Sequence, residues 1–135
     1  MTAKQQQIIS PNVAEYPPGH WSNCIRVGDM VYVSGMTSRG NDLRTIHGLG
    51  DPYEQARVVF TKIRHCLEAA GAKMSDIVTM TIYVTDIAHN KEIWRARREF
   101  FSGHFPCSAL VQVAGLASSE ILVEIQVQAH VGSGV

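Results

Sequence analysis

No block of like charge runs through this sequence. Its twelve Lys and Arg balance twelve Asp and Glu, so the formal net charge is zero. Binding a phosphate backbone draws on a basic surface, and none is on offer. The tightest basic cluster, Arg95, Arg97 and Arg98, sits beside Glu92 and Glu99 on a predicted helix. It reads as a solvated helix face, and no nucleic acid is expected as a partner. Long apolar runs are missing too, which excludes a membrane-spanning helix. The polar stretch Met1 to Gln7 lacks the apolar core of a signal peptide. Cysteine is scarce and odd in number. Cys24, Cys66 and Cys107 show no metal-ligand spacing, and neither do His20, His47, His104 and His130. That argues against a disulfide framework or a structural zinc site and suits a reducing compartment. A soluble cytoplasmic protein is expected, with no metal, no cofactor and no membrane.

What is present is one domain's worth of chain. The 135 residues, 45% hydrophobic and 18% charged, can bury a single sizeable core. Residues 1–20, with Pro11, Pro17 and Pro18, read as an extended N-terminal segment. Cys24 to Val27 and Met30 to Ser34 are apolar runs joined at Gly28-Asp29, a hairpin signal. Residues 36–50 form a loop, with a short strand expected at Leu43 to Ile46. Asp51-Pro52-Tyr53-Glu54 starts a helix: a cap, then Pro, then an acid in the first turn. Ala56, Val59, Phe60, Ile63, Leu67 and Ala70 recur at helical spacing until Gly71. Ile77 to Val84 alternates, with Val78, Met80, Ile82 and Val84 on one face. A second helix is expected over Asn90 to Ser102, with Ile93, Ala96, Phe100 and Phe101 inward. Strands follow at about Ser108–Ala114 and Ile121–Val131.

The order β-β-α-β-α-β-β gives an α+β domain over residues 1–135, a mixed sheet with two helices on one face. In the last strand Ile121, Val123, Ile125, Val127, Ala129 and Val131 face those helices. Leu122, Glu124, Gln126, Gln128 and His130 face away, and a half-apolar open face invites an oligomer. Glu124 stands out, because a carboxylate inside an apolar strand needs a partner, a raised pKa or a chemical role.

Several segments, in this order and spacing, carry a family likeness. They are Arg26-Val27-Gly28-Asp29-Met30-Val31-Tyr32-Val33-Ser34-Gly35, Gln55-Ala56-Arg57, Leu67-Glu68-Ala69-Ala70-Gly71-Ala72 and Asp76-Ile77-Val78. Tyr83-Val84-Thr85-Asp86, Phe100-Phe101, Phe105-Pro106 and Leu122-Val123-Glu124-Ile125 complete them. From about Ile8 to Val131 the chain resembles the reactive-intermediate deaminase (RidA/YjgF-like) family, also labelled endoribonuclease L-PSP. The resemblance implies a chorismate-mutase-like fold and a homotrimer with small-molecule clefts between subunits. It implies hydrolysis of an enamine or imine to a keto compound and ammonia, with Glu124 positioning the water and Gly35 lining the cleft.

The chain departs from the family pattern at four positions. Ser108 stands where the family has a carboxylate-binding arginine, and Trp21 where it has a tyrosine. Trp94 stands at a helical asparagine position and Leu110 at a cysteine position. A guanidinium binds carboxylate through a planar fork, which a serine hydroxyl does not replace. Cys107 neighbours the site, and Arg39, on the loop after Gly35, is a candidate replacement cation. The candidate site is therefore Glu124 with Ser108, Gly35, Trp21, Trp94, Cys107, Leu110 and Arg39. The leading reading is a deaminase or proton-transfer enzyme acting on a reactive metabolite. The alternatives are a non-catalytic binding trimer and, with less support, a ribonuclease or translation inhibitor.

Overall fold

A computed structural model describes residues 2–135. Six strands form one sheet: β1 (Gln5–Ile8), β2 (Cys24–Val27), β3 (Met30–Met36), β4 (Ile77–Val84), β5 (Cys107–Gln112) and β6 (Val123–His130). Their order across the sheet is β1-β2-β3-β6-β4-β5. Only β4 and β5 run parallel, so the sheet is mixed as expected. Two helices, α1 (Pro52–Ala69) and α2 (Asn90–Arg98), cover one face. Among the described residues no helix is long and apolar enough to cross a membrane.

Local chemistry sets the boundaries. The Asp51 side chain accepts from the Glu54 amide at 3.1 Å, capping α1 behind its Pro at the first position. The helix ends where Gly71 takes a φ of 83°. There the Gly71 amide donates to the Glu68 carbonyl and the Ala72 amide to the Leu67 carbonyl, the paired bonds of a Schellman end. Phe60, Ile63 and Leu67 are fully buried against the sheet. Each contributes about 1.5–3 kcal/mol by leaving water.

Four expectations need correction. The Gln-rich N-terminus is a strand, not merely an extended segment: Gln5 to Ile8 pair with Val27 to Cys24. Only Ile8 of these is buried, so the backbone ladder, and not an apolar pattern, holds it there. The strand expected at Leu43–Ile46 reduces to a single bridge, Arg39 to Ile46, because Leu43 takes a φ of 61°. Val78 is not on the core face. A bulge between Ile77 and Thr79 inserts one residue, so Ile77 is buried and Val78 is left 47% exposed. The second helix stops at Arg98, short of Ser102. Phe100 and Phe101 still pack on Phe60 from the following turn, at 5.3 and 6.0 Å between ring centroids.

Candidate active site

The site begins with a second bulge. Val33 pairs with Val127 and Met36 with Ile125, so β3 carries one residue more than β6 between them. Strict alternation would bring Gly35 to the core face occupied by Val31 and Val33. The inserted residue gives that place to Met36, which is buried, and presents Gly35 to Glu124. A Cβ built on Gly35 would collide with the Glu124 carboxylate and stand only 2.8 Å from its Cδ. The missing side chain is the space that the carboxylate occupies.

Glu124 sits on the open face of β6 opposite Tyr83. Gln55 fixes the approach to this strand. Its buried amide donates to the Gly48 and Glu120 carbonyls at 3.1 and 2.9 Å, and its oxygen accepts from the Leu122 amide at 2.9 Å. One side chain of α1 thus joins the loop before the helix to the residues entering β6. Glu124 makes no ion pair among the described residues. Burial raises its pKa above the ordinary carboxylate value. Such an acid is closer to exchanging its proton at neutral pH.

A cavity of about 90 Å³ lies in front of the carboxylate, room for several waters or a small metabolite. Glu124, Gly35, Trp21 and Arg39 all line it, so four of the proposed residues converge. Tyr16, Asn23 and Lys62 line it too, and the sequence reading missed them. Tyr16 lies against Trp21 at 4.3 Å between ring centroids. Lys62 donates to the Thr37 and Arg39 carbonyls at 2.8 and 2.9 Å. Burial pushes its pKa down to about 8; Cys66 acts against this, and the Arg39 charge adds to it. Its place at the margin of the α1 apolar stripe, beside Ile63, was the available signal.

The other four proposed residues lie outside that cavity. Ser108 pairs with Met80 and Leu110 with Ile82, both core-facing, so Ser108 and Leu110 point toward the helix layer. Cys107 pairs with Thr79 and points to the open face. The pleat therefore separates Cys107 from Ser108. Trp94, on α2, is 37% exposed. The Ser108 hydroxyl is the partner of Arg97 Nη1, which donates to it at 3.0 Å. Arg97 makes no ion pair among the described residues, and its buried Nε has no hydrogen-bond partner there. Desolvation and the neighbouring Arg98 lower its pKa, yet a guanidinium stays charged. Sequence reading took Arg97 for a solvated charge; its spacing of three from Trp94 was the clue to a shared face.

Residues 12–131 match the model of the family described as Endoribonuclease L-PSP. A protein named 2-iminobutanoate/2-iminopropanoate deaminase, from Dermatophagoides farinae, is 36% identical over 114 residues, covering 82% of this chain and 86% of its own. A crystal structure of a protein of unknown function from Pseudomonas aeruginosa superposes with a TM-score of 0.87 at 37% identity, covering 99% of this chain and 96% of the other. RidA from an Antarctic Psychrobacter superposes with a TM-score of 0.83 at 28% identity, covering 93% and 99%.

Proposed function

The chain belongs to the endoribonuclease L-PSP family, and from that membership we propose that it is an enzyme deaminating a small imine or enamine by hydrolysis. The observation that carries this reading is Glu124: a carboxylate of raised pKa, in no ion pair among the described residues, seated on Gly35 and facing a small cavity. In the proposed reaction the carboxylate accepts a proton from water as the water oxygen bonds to the imine carbon. The protonated acid then returns the proton to nitrogen. In the carbinolamine so formed the hydroxyl proton passes to nitrogen through the same carboxylate, the carbon–nitrogen bond breaks, a carbonyl forms and ammonia leaves. A carboxyl whose pKa is raised toward neutrality serves in both roles. The chemistry calls on no cofactor. The family description names a ribonuclease, but a net charge of zero gives RNA no electrostatic footing.

The name of the Dermatophagoides relative supports a 2-imino acid as substrate. Its carboxylate needs a cation, and Ser108 supplies none. In our reading Arg97 does, held at Ser108 by its 3.0 Å hydrogen bond. Arg97 and Trp94 lie apart from the Glu124 cavity in one protomer. We therefore take the working unit to be a homotrimer in which the Ser108–Arg97–Trp94 surface of one copy closes the Glu124 cavity of the next. Exposed Tyr32, Val78 and Val111 on the open sheet face support such an assembly. Three free thiols fit a reducing cytoplasm.

The test is ammonia release from 2-iminopropanoate generated in situ, with sedimentation to establish the assembly. Activity in the wild type and its loss in Glu124→Gln support the reading. Undiminished turnover in Glu124→Gln would overturn the mechanism. Ligand bound but recovered unchanged would favour a binding trimer instead.

A further inference from the structure

A second, larger cavity of about 340 Å³ opens between α1 and the loop that follows β3. It lies behind the loop from Arg39 to Asn41, which also borders the Glu124 cavity, and it shares Lys62 with that cavity. Its charged walls are Arg39, Arg57 and Lys62 against Glu54 alone. Glu54 is engaged by Arg57 at 3.3 Å, and Arg57 also meets Glu99 at 3.3 Å. Arg39 and Lys62 thus face the cavity without a carboxylate among the described residues. An ammonium has three N–H donors and a guanidinium five. Lys62 spends two on carbonyls, and Arg39 spends one on the Leu43 carbonyl at 3.3 Å. Two part-buried like charges held together, neither in an ion pair among the described residues although Glu124 lies across the shared cavity, are an arrangement that an anion would stabilise.

We propose that this cavity is a binding site for the phosphoryl group of a small phosphorylated metabolite, with Arg39 and Lys62 as its cations. The two cations come from a loop and a helix and approach from different directions. A tetrahedral dianion has oxygens for both, and its charge matches theirs. The remaining wall, with Asn12, Asn41 and Thr61, is polar and suits the body of a sugar- or polyol-sized ester. Arg39 and Lys62 also border the Glu124 cavity, but the proposed reaction assigns them no role, and the site does not depend on that reaction being right.

Titration calorimetry and side-chain NMR on the intact protein would test this with inorganic phosphate, glycerol phosphate, sulfate and acetate. Expected are saturable binding of one phosphate or sulfate per chain, tighter binding of the ester, and signal changes confined to Arg39 and Lys62. Arg39→Gln should weaken sulfate binding about tenfold or more. That side chain makes only the Leu43 bond, so the variant should fold; Lys62→Gln is the second arm. Sulfate stays dianionic across the range, so its pH dependence reports on the protein. Binding should fall as pH rises through about 8, where Lys62 loses its proton. The groups around Lys62 are Arg39, Cys66, Glu54, Arg57, His47 and His65, with Glu124 across the shared cavity. A sulfate affinity that does not change as pH rises through about 8 would overturn the role of Lys62. Absence of saturation at about 50 mM, equal affinity for acetate, or wild-type affinity in both variants would overturn the site.

Discussion

The surface around Glu124 and the surface around Ser108 are opposites. One holds a carboxylate that makes no ion pair among the described residues, in a cavity walled by Tyr16 and Trp21 and bordered by Arg39 and Lys62. The other holds a guanidinium in no ion pair among the described residues, on Ser108 and near Trp94 in sequence. Each is incomplete in the currency of the other. An isolated half-buried charge is costly, so two such halves on one chain point to a shared partner or ligand. The second surface shows a helix bringing a guanidinium to a strand residue, Arg97 to Ser108.

The largest expected effect separates the halves by role. Glu124→Gln should lower kcat for 2-iminopropanoate about 10²- to 10⁴-fold with little change in KM, measured as ammonia released. Arg97→Gln should instead raise KM about 10- to 100-fold. If Arg97→Gln left KM unchanged, the two surfaces would have separate tasks. The third test joins them. Each variant is nearly inactive alone at low substrate, but refolding Glu124→Gln and Arg97→Gln together in equal amounts should restore about a quarter of wild-type activity, because a random trimer rebuilds one intact pair in four. No recovery would place both halves of a working site on one chain.

Smaller effects concern stability. Burial holds the Glu124 pKa up, so the folded protein binds more protons than the unfolded one between the two pKa values. Stability contributed by this group is present in acid and lost as pH rises through its folded pKa. Glu124→Gln should therefore raise Tm at neutral pH by about 2 °C, a figure discounted for partial exposure, while it abolishes turnover. Lys62 has the reverse sign. Its pKa falls from 10.5 to about 8, so stability rises with pH above 8 as the unfolded chain holds the extra proton. Buried Cys24 and Cys66, pushed up to about 12 and about 11 from 9.0, oppose this above pH 9. Urea midpoints should peak near pH 9, and Lys62→Met should flatten the rise between 8 and 9.

Much of the fold was legible because local and global signals agree. The cap at Asp51, the glycine stop at Gly71 and the period of Ala56 to Ala70 each specify α1 on their own. Val78 and Gly35 were harder. A bulge adds one residue to one strand, and only the partner strand reveals it. The N-terminal strand was hidden because Gln5 to Gln7 are exposed and carry no apolar signature. At the site, Glu124 was readable as a charge in an apolar strand. Tyr16, Lys62 and Arg97 were not, since what gives each a role lies far away in sequence: Lys62 is tied to Thr37 and Arg39, and Arg97 to Ser108.

Gly35 carries a consequence for how this protein can change. Any larger residue there would drive into the Glu124 carboxylate. The two positions are therefore coupled: a variant that keeps the acid in this place must keep the glycine, and a larger residue would force the carboxylate to swing away. In the proposed trimer, new substrate preferences are easiest to reach by altering the far walls, at Trp21, Trp94 or the hydroxyl of Ser108, where substitutions leave the floor intact. A library that fixes Gly35 and Glu124 and randomises those three would explore specificity while sampling few chains that have lost the reactive group.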